Sequence, residues 1–588
     1  MTAVSGAGGA RTLTPRDRVA GRRRSAFWPL LFAALLVVLV VLIAIPLGGL
    51  LISSVSRTGT LSRFAFTLST YQDVLSDART FGLLGTSIAF AASSAVIALV
   101  VGAPLAWFVE RSDLGRKDLI RAVIFAQVAV PPLVLAMGWV LLASPKIGML
   151  NAALGTVFGA SAVLNVYSFP AMVAIQGLSL VPLVFVMLSP ALRNMDASYE
   201  EAALATRGAG HISAIWHVSL PLVRPALLAV ALYAFIASLL SFDIPAVIGI
   251  PANVFVFSSE IFFSIQRYAV PRYAYASVLS MVTLVVVVAA GLAYLRALGN
   301  VRQFATVTGK YRARTLHLGR RAKAIGRAWL IGYLLLGLVL PVAMVVWTSF
   351  IPFFAQLGGD ALGHLTLQNY ADVFATPRGA LALQNTALNS VVAATVVTAL
   401  AGLVAWVVIR SPLRGRRTLD VLALLPLVVP GVILGLSLQY AAIAMTSLPL
   451  YGTIWVLTIG HVTLGLPFAT RSANSAIAQI HPELEEAAHA AGRSPLDVFR
   501  TITLPLIAPT LVFVWLWTLV HSIRDLSTSV LLAPPANPVL ASLLWQLWDY
   551  GSLTVGAAVG TLLMAAVFLI ALVALRILGR SRAATGLL

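Results

Sequence analysis

The 588-residue chain contains no cysteine, which excludes disulfides and thiolate-held metals without fixing a compartment. Charge is also scarce. Only 10% of residues are charged, against about 25% in soluble domains, while 60% are hydrophobic and mean hydropathy is +0.94. Acids are scarcer than bases, 20 against 40, for a formal net charge of +20. That excess would suit a polyanion, but the bases flank apolar runs instead of covering a polar surface, so no nucleic-acid partner is expected. A Gly-x4-Gly-Lys-Ser/Thr phosphate cradle is missing too: Gly309-Lys310-Tyr311 lacks the glycine spacing and the hydroxyl. The chain is expected neither to hydrolyse ATP nor to carry a cofactor or a resident metal.

Long apolar runs are abundant. A bilayer core of roughly 30 Å takes about 20 apolar residues of helix. Six runs meet that length at 27–52, 81–109, 119–143, 167–192, 226–250 and 275–295. Six more lie at 328–351, 383–409, 419–445, 451–470, 506–532 and 553–575. The first run is too long for a signal-peptide core, has no obvious cleavage site and is matched in the second half, so it is read as a retained helix. The fold class is an all-α membrane protein of about twelve transmembrane helices in two parallel six-helix repeats. Its divisions are a basic N-terminus (1–26), a first half (27–298), a basic linker (299–327), a second half (328–578) and a tail (579–588). Lys and Arg near short loops stay on the cytoplasmic side. That rule puts both termini, the linker and the connection between the second and third spans of each half in the cytoplasm.

The repeat is explicit. Thr67-Leu68, Tyr71 and Asp73-Val74 return as Thr366-Leu367, Tyr370 and Asp372-Val373, and Ala106-Trp107 with Arg111-Ser112 as Ala405-Trp406 with Arg410-Ser411. Their spacing is 299 residues; Tyr167 with Tyr451 and Pro221 with Pro505 are 284 apart. An external insertion near 144–165 accounts for the difference. An even number of spans per half gives both halves one topology, related by an axis along the membrane normal, with a path between them.

One polar sentence is also written twice. Glu200, Glu201, Ala202 and Ala203, then Gly208 and Val218-Ser219-Leu220-Pro221, return as Glu485, Glu486, Ala487 and Ala488, then Gly492 and Ile502-Thr503-Leu504-Pro505. Ser198 with Glu201 has capping-box spacing, Pro482 suits a first helical position, and Ser494-Pro495-Leu496-Asp497 can open another helix. The reading is a short helix-turn-helix on the cytoplasmic face. Its acids disfavour an anionic lipid surface, and its alanines offer low relief to a protein. Two copies imply a two-lobed partner.

In these residues the chain resembles the binding-protein-dependent ABC transporter permeases, whose cytoplasmic EAA loop seats in a groove of the ATPase subunit. The first copy departs from the pattern, with Arg207 at the glycine position, Gly208 one residue late and Val218 in place of isoleucine. The duplicated layout most resembles fused ferric-iron permeases, with further similarity in Ser241-Phe242-Asp243-Ile244-Pro245 and Arg524-Asp525-Leu526-Ser527-Thr528-Ser529. What the resemblance implies is an importer in the bacterial cytoplasmic membrane, working with an ABC ATPase dimer and an extracytoplasmic solute-binding protein. Relatives on this framework carry thiamine, polyamines, aminoethylphosphonate or oxyanions.

Acids inside a membrane cost roughly 2.5–3.5 kcal/mol on insertion scales and mark functional candidates. Asp243 and the Arg524-Asp525 pair stand at comparable places in the two fifth spans, with Ser241, Ser522 and Ser527 beside them; together they are the candidate path residues. An internal ion pair is the alternative. His461 and His521 lie in apolar surroundings, where a lone histidine is more often a packing residue than a ligand. Glu260, Arg267 and Arg272 fall in the external connection after the fifth span. An ion-coupled secondary transporter would need coupling acids deep in several helices; a scaffold with twin recruitment loops would need no path at all.

Overall fold

The computed structural model describes residues 15–59, 64–158, 164–195, 200, 215–301, 316–354, 363–445 and 450–584. They form helices with no strand beyond two isolated bridges. In the first half these are α1 (Phe27–Ser54), α2 (Ala78–Arg111), α3 (Lys117–Gln127), α4 (Pro132–Ala143), α5 (Phe169–Arg193), α6 (Trp216–Leu239), α7 (Phe257–Gln266) and α8 (Tyr273–Tyr294). The second half has α9 (Arg320–Ser349), α10 (Pro377–Arg410), α11 (Arg417–Val428), α12 (Gly431–Ala444), α13 (Ile454–Ala478), α14 (Pro482–Ala490), α15 (Pro495–Arg524), α16 (Leu540–Asp549) and α17 (Leu553–Val573). Among the described residues, nine helices are long and apolar enough to cross a membrane unbroken. The third spans are each broken, α3 meeting α4 at 90° and α11 meeting α12 at 113°. The remaining expected span is α13, which has the 25-residue length of its counterpart α5 but carries His461, Pro467 and Arg471 along it.

Proline shapes the helices locally. Among the described residues five wide π turns, Val40–Ala44, Ile215–Ser219, Pro245–Gly249, Leu335–Val339 and Phe499–Thr503, each end two residues before a proline: Pro46, Pro221, Pro251, Pro341 and Pro505. A proline ring clashes with the carbonyl four residues back and donates no hydrogen bond, so the preceding turn widens. The fifth spans were expected to run unbroken over 226–250 and 506–532. They stop instead at Leu239 and Arg524. The chain then turns and enters α7 and α16, whose starts are held by hydroxyls from the second spans: Ser87 accepts from the Phe257 N–H at 3.0 Å and Thr386 from the Leu540 N–H at 2.8 Å.

The halves exchange their first helices. Leu35, Leu39 and Ile43 of α1 pack with Val404, Val407, Leu419 and Leu466 of the second half. Leu330 and Tyr333 of α9 pack with Leu105, Val109 and Val181 of the first. Gln127, at the end of α3, donates to the Gly337 carbonyl at 2.9 Å and accepts from the Tyr333 hydroxyl. Backbones touch here: a Cβ on Gly138 would stand 2.2 Å from the Pro341 carbonyl oxygen.

Helix α9 starts at Arg320, inside the segment read as linker, and that segment is fastened to the first half. Residues Ser112 and Leu316 form a parallel bridge, and Asp113 accepts from the Leu318 N–H at 3.1 Å and pairs with Lys323 at 2.8 Å. The expected insertion after the third span contains the helix Met149–Phe158, tied back by Asn151, which donates to the Leu164 carbonyl at 2.7 Å.

Candidate functional site

The second repeated loop is a helix-turn-helix, as its capping residues foretell. Helix α14 starts at Pro482, with Glu483 and Glu485 in its first turn where the helix dipole favours acids. It ends in a Schellman turn: Gly492 N–H donates to the His489 carbonyl at 3.0 Å, Arg493 N–H to that of Ala488 at 3.1 Å. Gly492 takes φ +85°, a left-handed conformation that suits glycine. Ser494 and Asp497 then cap the start of α15 reciprocally, at 3.2 and 3.3 Å.

The two adjacent acids of this loop face opposite ways. Glu485 is 7% exposed, paired with Arg410 Nε at 2.8 Å and accepting from the Thr503 hydroxyl at 2.7 Å. Glu486 and Ala487 are exposed, as are Leu484 and Leu496. The first half repeats the inward arrangement. Glu200 is fully buried, paired with Arg111, and accepts from the Ser219 hydroxyl. Glu201, Ala202, Ala203 and Gly208 lie outside the described residues. The repeated arginines at the ends of α2 and α10, and the hydroxyl residue before each Leu-Pro, are thus partners of the first acid of each loop.

Trp406 lies near the end of α10. It is 2% exposed, inside an aromatic column: Phe499 of α15 stacks on it at 4.4 Å, and Trp28 of the exchanged α1 lies at 4.8 Å. A displacement of the loop therefore meets both halves at once.

In the middle of the protein, at the end of α15 and just past the end of α6, the structure brings Asp243, Arg524 and Asp525 together. Arg524 donates to the Val128 carbonyl, at the break between α3 and α4. Asp243 lies within electrostatic reach of Arg524 and Asp525, and its Oδ1 has no protein hydrogen-bond partner among the described residues. Asp525 accepts from the Thr528 N–H at 3.0 Å and from His461 Nε2 at 3.2 Å. His461 Nδ1 is 2.8 Å from Asn389 Nδ2, and Asn389 Oδ1 accepts from Thr458 at 3.0 Å. This chain fixes the imidazole tautomer by giving each ring nitrogen a partner. The first half has a lighter version, Ser241 donating to Gln176 at 2.9 Å. Ser527 packs against Gly431 at the start of α12, and Ser522 is buried. Asn389, Gln176 and Val128 carried no sequence signal; they sit in apolar runs as ordinary neutral residues. Among the described residues, no three His, Cys, Asp or Glu side chains gather as a metal site.

Of the residues in the connection after the fifth span, Glu260 is 2% exposed, near Arg79 at 3.6 Å and accepting from Tyr275 at 3.4 Å. It is a buried acid within the bundle. Arg272 lies over the Tyr268 ring at 4.9 Å, and Arg267 pairs with Asp549 of the other half.

Two interlocked halves, each with a broken third and fifth span facing its twin across a charged centre and an anchored acidic loop at one end, define a membrane permease subunit. The chain belongs to the family described as the binding-protein-dependent transport system inner membrane component, which residues 102–298 and 400–583 match. It is thus a transport subunit and not an enzyme. A putative ferric transport system permease protein, FbpB 1 of Haemophilus influenzae, is 29% identical over 445 residues, 74% of this chain and 68% of that protein. The ferric transport system permease protein FbpB of Actinobacillus pleuropneumoniae is 28% identical over 477 residues, 80% of this chain and 67% of its own length. A putative 2-aminoethylphosphonate transport system permease protein, PhnV of Salmonella typhi, is 29% identical over 155 residues, 26% of this chain.

Proposed function

We propose that this chain is a transmembrane permease subunit of an ATP-driven importer for ferric iron in a bacterial cytoplasmic membrane, with both termini in the cytoplasm. Two ATPase subunits seat on the repeated loops, and an extracytoplasmic binding protein delivers the solute to the opposite end. The observation that carries this reading is the orientation of Glu485 and Glu486. The first acid anchors its helix to Arg410, and the second stands exposed beside Ala487 as a low-relief docking surface. By the repeat, Glu201, Ala202, Ala203 and Gly208 are assigned that part in the first loop; in the second, Gly492 turns the chain after it, and Glu200 and Glu485, with Ala488 beside Glu485, position the surface rather than touch the partner.

The charged centre is the inner constriction of the path. Arg524 on the Val128 carbonyl closes one half on the other, Asp243 and Asp525 balance it, and Ser241, Ser522 and Ser527 line its edges. Iron as the solute is supported by the similarity to ferric permeases across most of the chain. Aminoethylphosphonate is a second reading, supported by the similarity to the phosphonate permease over part of it. Uptake of labelled ferric iron and of labelled aminoethylphosphonate by a deletion strain, with and without the gene, tests both. Iron uptake restored by the chain and lost with Glu486→Lys is the expected result; phosphonate uptake alone would overturn the iron assignment.

A further inference from the structure

At the end of the bundle opposite Glu485, between the halves, lies a cavity of about 450 Å³, the size of a small-molecule site. Its floor includes Gln439 of α12, only 8% exposed, whose Oε1 has no protein hydrogen-bond partner among the described residues. Buried carboxamides almost always have a partner. Gln546 and Gln266 add two further amides, and Trp545 and Tyr451 form aromatic walls. Arg267 and Asp549 pair across its mouth.

The polar lining departs from the repeat. At the 299-residue spacing that relates α4 to α12, the counterpart of Gln439 is Val140, which is buried in the core. Helices α7 and α16 are equal in length and 283 residues apart, which pairs Gln546 with Phe263. A buried valine and a half-buried phenylalanine of one half thus stand where the other half carries amides.

The ion pair is built to exchange partners. Its side chains are 40% and 29% exposed, so water competes for both. Asp549 closes the last turn of α16, where the helix dipole disfavours an acid, and Arg267 caps the end of α7, where a base is favoured. Arg267 is therefore well placed without Asp549, whereas Asp549 depends on Arg267. A guanidinium with amides around it is a donor set for oxyanions, which it grips through two parallel N–H groups.

We propose that this cavity is a solute-binding site of the permease itself for a small molecule bearing an oxyanion group, carboxylate or phosphate, together with a hydroxyl: the oxyanion takes Arg267 from Asp549 on entry and the hydroxyl donates to Gln439 Oε1. It rests on the reading of the interface between the halves as the path, and not on iron. The oxyanion can arrive free or as the shell of a bound metal ion.

Isothermal titration of the full-length chain in lipid nanodiscs with inorganic phosphate, citrate and ferric citrate tests it. Binding of at least one probe is expected, with Arg267→Gln and Gln439→Leu each weakening it by roughly tenfold, about the value of one hydrogen bond. Asp549→Asn should tighten it, because Arg267 is then free, and a misfolded variant cannot produce a tightening. Equal binding of citrate with and without iron identifies the free oxyanion; binding of ferric citrate alone identifies the metal complex. No binding of any probe, or binding that Arg267→Gln leaves unchanged, overturns the proposal. Glu486→Lys should abolish uptake yet leave this binding intact, which separates a failure of the loop assignment from a failure of the site.

Discussion

Arg410 holds Glu485 at 2.8 Å at the membrane end of the second acidic loop, and in doing so decides which face of α14 is presented. Removing the acid leaves a largely buried guanidinium without its counter-ion, a loss worth about 3 kcal/mol. Glu485→Ala is expected to lower the melting temperature of the purified chain, and the double variant Arg410→Met with Glu485→Leu to restore most of it. Glu486→Lys should leave melting unchanged and abolish copurification of the ATPase.

Gly492 makes a second prediction. Its φ of +85° costs an alanine about 1 kcal/mol, and asparagine less. Space is open there, with nothing within 4 Å of a built Cβ, so Gly492→Ala acts through the backbone alone. ATPase activity stimulated by the permease should fall with alanine and be largely kept with asparagine.

A third concerns the crossing of α4 with the exchanged α9. The Cβ of Gly138→Ala would stand 2.2 Å from the Pro341 carbonyl oxygen, and backbone has little room to give. Overpacking of this kind costs about 1–3 kcal/mol. Lower detergent resistance, read as earlier loss of monodispersity on heating, is the outcome to look for.

The fourth is a pH dependence. Lys323, with the Leu318 N–H and His317, holds the Asp113 carboxyl well below the usual carboxylate range. A depressed pKa stabilises the fastening of the linker fully above the ordinary value of about 3.9, and the contribution is lost only as pH falls through the depressed one. Tryptic cleavage of the segment between the halves should therefore be insensitive to pH from about 5 to 8 as far as this carboxylate is concerned, after correction for the protease. Asp113→Asn should speed it throughout that range.

Much of this was legible in the residues. Apolar runs of membrane length located the spans because the bilayer imposes one requirement on every one of them, and the 299- and 284-residue spacings exposed the repeat and its insertion. Pro482, Ser494 and Asp497 announced their helix ends through short-range hydrogen bonding, which sequence neighbours alone determine. What could not be read depends on residues far apart in the chain. Glu485 and Glu486 are alike in sequence, and only the reach of Arg410 makes one an anchor and the other a surface. Asp243, Arg524 and Asp525 were singled out for their charge, but their meeting with Val128 and His461 required the breaks in the third and fifth spans. Hydrophobicity likewise says that α1 and α9 are buried in something, never that each lies on the opposite half.

That crossing governs what a cut in the connecting segment can do. A nuclease-split gene yielding 1–315 and 316–588 as separate polypeptides would leave each product clasping a helix that belongs to the other's body. The pieces should purify as a pair, since parting them would strip apolar surface from both at once.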